Sequence, residues 1–140
     1  MKAFVLDASV ALAWYFRDEF LGRARRISEL ADNCAVAVPS HWFAEIANGM
    51  LFGERRRRTS TSDSALFSGR IGLLDLDVET PDPSRMLDVV LPLARAHGLT
   101  VYDTLYLELA ERRGLPLASL DEQLNAAAKR VGIALVEEAA

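Results

Sequence analysis

Asp7, Glu45, Asp103 and Asp121 stand out among the twenty acidic residues of this 140-residue chain because of what surrounds them. Each of the three aspartates follows a short apolar stretch and immediately precedes a helical pattern. In an open parallel sheet that context puts them at the carboxyl ends of strands, where ligands bind. Glu45 lies one turn inside a helix, between Ala44 and Ile46, at the border of an apolar stripe. Carboxylates brought within a few ångströms repel one another and hold protons unless a cation joins them. Carboxylates with waters are the hard ligands that Mg2+ or Mn2+ prefers, and such a site can activate water against a phosphodiester. The competing reading is helix capping, since Asp is a favoured N-cap and Asp7, Asp103 and Asp121 could each do no more than that. Glu45 favours a metal site, because a carboxylate inside a helix and flanked by apolar residues has no capping role and a desolvation cost.

The residues nearby are weaker candidates. Asn48 is three positions after Glu45 and shares its side of the helix. Arg55-Arg56-Arg57-Arg58 is the one dense basic run, read either as a phosphate grip or as a solvated helix end. With a formal net charge of −4, any nucleic-acid contact must be local. His41, one turn before Glu45, could touch the site, although helix-start packing is the favoured reading, and His97 reads as a helix end. Cys34 is the only cysteine, which excludes an intramolecular disulfide and a cysteine metal cage.

These residues need a frame of strands and helices. Ala3–Leu6 and Ala35–Val38 read as buried strands, with weaker strands near Leu74–Val78, Leu115–Leu120 and Ile133–Val136. Helical spacing covers Ala8–Phe16, Phe20–Leu30, His41–Phe52, Ser62–Leu73 and Ser84–His97, where Pro92 should kink or split the element. A strongly apolar helix begins at Asp103 and closes at Gly114, and another runs from Asp121 to Val131. The alternation predicts one α/β domain over residues 1–140, with a mainly parallel sheet and helices on both faces. Asp7 interrupts the N-terminal apolar run, so a signal peptide is not expected; with no membrane span, the expected location is the cytoplasm.

The segments Val5-Leu6-Asp7-Ala8-Ser9-Val10-Ala11-Leu12, Ala44-Glu45-Ile46-Ala47-Asn48, Val101-Tyr102-Asp103-Thr104-Leu105-Tyr106 and Leu117-Ala118-Ser119-Leu120-Asp121 resemble the PIN-domain nucleases, and most closely their VapC-type toxin ribonucleases. The resemblance implies a PIN-like α/β/α sandwich and an Mg2+-dependent endoribonuclease, with Mn2+ as a substitute, acting on structured RNA of the tRNA or rRNA class. It maps the family acids onto Asp7, Glu45, Asp103 and Asp121, places hydroxyls at Ser9 and Ser119, and puts a polar neighbour of the glutamate at Asn48. It also implies a homodimer and a small antitoxin. The rivals are a catalytically silent binding module and a DNA-directed nuclease with the same site. A phosphotransfer domain fits less well, because Asp7-Ala8-Ser9 lacks the second aspartate of such phosphatases.

Overall fold

The computed structural model describes residues 1–139. Four short apolar segments pair in parallel: β1 (Ala3–Leu6), β2 (Ala35–Pro39), β3 (Leu76–Glu79) and β4 (Leu117–Ala118), in the order β3-β2-β1-β4. β1 is central and has helices on both faces, so Phe4, Val5 and Leu6 are all buried. This explains why it reads as an unbroken apolar run and does not alternate. The register sets Val5 opposite Leu117 and Leu6 opposite Ala118. The next residues on these strands, Asp7 and Ser119, therefore emerge side by side.

The helices are α1 (Ala8–Tyr15), α2 (Gly22–Ala31), α3 (Trp42–Arg55), α4 (Thr61–Ile71), α5 (Pro83–Arg85), α6 (Leu91–His97), α7 (Val101–Arg113), α8 (Glu122–Arg130) and α9 (Val136–Ala139). Trp42 and Ile46 from α3 join Tyr106, Leu107, Leu109 and Ala110 from α7 in the core around the sheet. Arg112 ties α7 to the edge strand by pairing with Glu79, while also holding Glu108 at 2.8 Å through Nε.

Several expectations shift. The helix expected over Ser84–His97 neither breaks nor simply kinks at Pro92. It passes through a π-helical stretch, Met86–Val90, where Leu91 N–H bonds back to Met86 O. A wider turn suits a position where proline cannot supply the ordinary helical donor. The expected strand at Ile133–Val136 is reduced to a single bridge, Leu117 to Leu135, before α9 begins. Leu115–Leu120 contributes only two strand residues. The helix carrying Asp103 starts at Val101, so Asp103 lies inside a helix and follows no strand. No helix among the described residues is long and apolar enough to cross a membrane.

Candidate functional site

Asp7 leaves the carboxyl end of β1 at the N-cap position of α1, yet its side chain makes no capping hydrogen bond. Its Oδ2 instead accepts from Ser9 Oγ and from Ser119 Oγ, each at 2.7 Å. The same hydroxyls take amide protons from the loop after β4: Leu120 N–H donates to Ser9 Oγ and Asp121 N–H to Ser119 Oγ, both at 3.0 Å. Two serines thus lock the Asp7 carboxylate to the segment that carries Asp121. The carbonyl of Ser119 is held in turn by Arg23 and Asn125, each at 2.9 Å. Asp7 is only 4% exposed. Burial is the main reason its pKa rises from 3.8 to about 6, with Glu45 and Asp103 adding repulsion and the two hydroxyls opposing it.

Glu45 reaches this point because α3 packs closely on α1. A Cβ on Gly49 would stand 2.4 Å from Leu12 Cδ2, and one on Gly53 would stand 2.8 Å from Phe16 Cε1. The two glycines, one helical turn apart, let the helix axes approach and carry Glu45 toward Asp7. The helix expected to end at Phe52 runs on through Gly53 to Arg55. Glu45 Oε1 accepts from Tyr106 Oη at 2.5 Å.

Asp103 occupies the first turn of α7, and its backbone N–H donates to the Thr100 hydroxyl at 3.1 Å. Thr100 is therefore the cap, and Asp103 is free of that duty. Its carboxyl is pushed above the ordinary range by burial first, then by Asp121 and Glu45. Asp121 does cap its helix: Oδ1 accepts from Gln123 N–H at 2.9 Å and Leu124 N–H at 3.2 Å. Capping and membership of the cluster are compatible there, since only one oxygen is used.

Asp7, Glu45, Asp103 and Asp121 line one cavity of about 490 Å³, together with Ser9, Asn48, Phe52 and Arg58. Among the described residues, no group of three His, Cys, Asp or Glu side chains closes tightly enough to chelate an ion as it stands. Burial does most to raise the Asp7 and Asp103 carboxyls, and the repulsion from Glu45, Asp103 and Asp121 that adds to it puts the acids in one field. The donor set is oxygen throughout, as a hard divalent cation requires.

The family model for the PIN domain matches residues 4–130, which includes all four acids. The chain belongs to the PIN domain family. It is 28% identical over 121 residues to Ribonuclease VapC3 of Pyrobaculum aerophilum, covering 86% of this chain and 90% of that protein. It is also similar to the crystal structure of PAE2754 from Pyrobaculum aerophilum, with a TM-score of 0.70 and 25% identity over 97% of this chain and 85% of that one. The parallel sheet between helices is thus the PIN-like fold that the resemblance implies.

Other residues of this PIN domain depart from expectation. His41 is more than helix-start packing: Nε2 stands 3.0 Å from Glu45 Oε1, an ion-pair distance when the ring is protonated, although the angle gives no hydrogen bond. Its ring also packs 5.1 Å from Tyr106. Tyr106 itself was not singled out from sequence; its signal was the three-residue spacing from Asp103 on one helix face. Asn48 lines the cavity but makes no hydrogen bond to Glu45 among the described residues. The arginine run divides. Arg55 ends α3, Arg56 lies 4.0 Å over the Phe52 ring, and Arg57 adopts the left-handed φ of 59° that turns the chain. Arg58 reaches the cavity, stacked 4.1 Å over Phe16 and paired with Asp18 and Glu19.

Proposed function

We propose that this chain is a divalent-metal-dependent endoribonuclease, the toxin of a type II toxin–antitoxin pair, that cuts structured RNA of the tRNA or rRNA class in the cytoplasm. The observation that carries the reading is the buried Asp7 carboxylate, which caps nothing and is instead locked by two serines beside three further acids. The similarity to a protein named Ribonuclease VapC3 supports RNA as the substrate and an antitoxin as the partner.

Asp7, Glu45 and Asp103 would hold Mg2+, or Mn2+ in its place, with Asp121 completing the set or holding a second ion. Such an ion supplies an activated water and neutralises the charge that builds on the phosphodiester. The protein's own contribution is positional. Ser9 and Ser119 fix the plane of Asp7, and Asp121 is fixed by its capping bonds. A carboxylate of the cluster accepts the proton of the attacking water as the water oxygen bonds to phosphorus and the bond to the leaving oxygen breaks. Arg58, on the cavity wall, is placed to meet a neighbouring phosphate.

The partner reading draws support from α3, where Phe43, Ala47 and Leu51 form an exposed stripe at four-residue spacing. An apolar face of this kind suits either a second copy or the segment of an antitoxin. A basic antitoxin side chain would find complementary charge in the acidic cavity.

The test is to incubate the purified chain with labelled tRNA, rRNA fragments and DNA of matching sequence, with Mg2+, Mn2+ or chelator. Cleavage of RNA that needs the metal and spares DNA is expected. RNA binding without cleavage under every metal condition would instead support a silent binding module, and DNA cleavage a different nuclease.

A further inference from the structure

The Tyr106 hydroxyl belongs to a fully buried side chain and donates to Glu45 Oε1 at 2.5 Å. One phenol from α7 therefore holds the glutamate of α3. His41 Nε2 approaches the same Glu45 oxygen, so both neighbours address Oε1. Oε2 accepts no hydrogen bond among the described residues.

The pattern repeats around the cavity. Both serine hydroxyls address Asp7 Oδ2, leaving Oδ1 unbonded among the described residues. Both capping amides address Asp121 Oδ1, leaving Oδ2. Three carboxylates from three different elements each have one oxygen engaged by the protein and one spare. A glutamate has three side-chain torsions, and without a donor it would sample several orientations at an entropic cost to any ligand that must select one.

We propose that Tyr106 is a positioning residue that fixes Glu45 so that it presents a metal ion with a single oxygen, Oε2, as Asp7 and Asp121 present Oδ1 and Oδ2. This rests on the metal-site reading given above. Carboxylates that give one oxygen each suit a small octahedral ion. They suit Ca2+ less well, since it takes more ligands and often both oxygens of a carboxylate.

The experiment titrates Mn2+ into metal-free wild type and Tyr106→Phe, reading free Mn2+ by electron paramagnetic resonance and folding by thermal melt. Loss of an orienting partner of a ligand typically costs about 10- to 100-fold in metal affinity. A Kd raised by that factor in folded Tyr106→Phe is therefore expected. A Kd equal to that of wild type, with or without a lower Tm, would reduce the hydroxyl to a structural role and overturn the proposal. If wild type itself binds no Mn2+, the metal-site reading fails first, and the inference with it. A second measurement needs no variant: Ca2+ added at equal concentration should leave most Mn2+ bound to wild type. Displacement of most of the Mn2+ by Ca2+ would contradict the single-oxygen geometry.

Discussion

Ser119 Oγ donates to Asp7 Oδ2 at 2.7 Å across a sequence separation of 112 residues. The adjacent ends of β1 and β4 make this possible, and Asp121 N–H completes the valence of the hydroxyl at 3.0 Å. Ser119→Ala removes the donor to Asp7 and strands the Asp121 amide. We expect RNA cleavage to fall by about 10- to 100-fold, the usual loss when a group orienting a metal ligand is removed. Single-turnover rates at saturating Mn2+, with circular dichroism to verify folding, check this.

Asp7 gives the folded protein an unfavourable group. Its pKa rises from 3.8 to about 6 in the folded state, so the native protein binds this proton more tightly than the unfolded chain does. The resulting stabilisation is complete below about pH 3.8 and is lost as pH rises through about 6. The rise corresponds to roughly 3 kcal/mol of lost stability at neutral pH. Metal-free Asp7→Asn should therefore melt higher than metal-free wild type at pH 7.5, and the difference should shrink toward pH 4. A variant less stable than wild type at pH 7.5 would count against this electrostatic picture.

The contact between α1 and α3 depends on Gly53, whose missing side chain leaves room for Phe16 and Thr59. Gly53→Val forces an aromatic ring and a hydroxyl to move, and overpacking of this kind costs about 1–3 kcal/mol. Because the same contact sets the distance from Glu45 to Asp7, the variant should also bind Mn2+ more weakly. Urea denaturation and metal titration on one preparation test both effects.

Arg58 is the arginine of the basic run that lines the cavity. Arg58→Ala should weaken RNA binding across sequences and lower the slope of log affinity against log salt by about 1. The loss is limited because Asp18 and Glu19 already share its charge. Filter binding at several salt concentrations measures the slope.

β1 and β2 were legible because strands buried on both faces leave unbroken apolar runs, and both were placed within a residue or two. β4 was overestimated, since two paired residues suffice once Leu117 is fixed between Val5 and Leu135. Asp103, following a short apolar stretch, was expected at the carboxyl end of a strand. The actual signal was Thr100, a capping residue three positions before an acid. Local sequence also framed capping and metal binding as alternatives. Asp121 does the first with one oxygen and keeps the other, which only the three-dimensional arrangement could show. Tyr106 escaped notice as a neighbour of Glu45 because its approach depends on how α3 meets α7, information no short segment carries. His41, four residues before Glu45, was visible as a residue that could touch the site, but packing at a helix start was the favoured reading.

The four acids are proposed to act through one divalent ion site. Glu45 is the decisive residue, having no capping role to confuse the outcome. The most direct measurement is the rate of RNA cleavage as a function of Mn2+ for wild type and Glu45→Gln, with chelator as the zero point. We expect no cleavage in chelator, a saturable rise with Mn2+ for wild type, and a loss of at least about 100-fold in the variant, in line with removal of a group acting in the transition state. Cleavage that persists in chelator and survives Glu45→Gln would contradict that proposal.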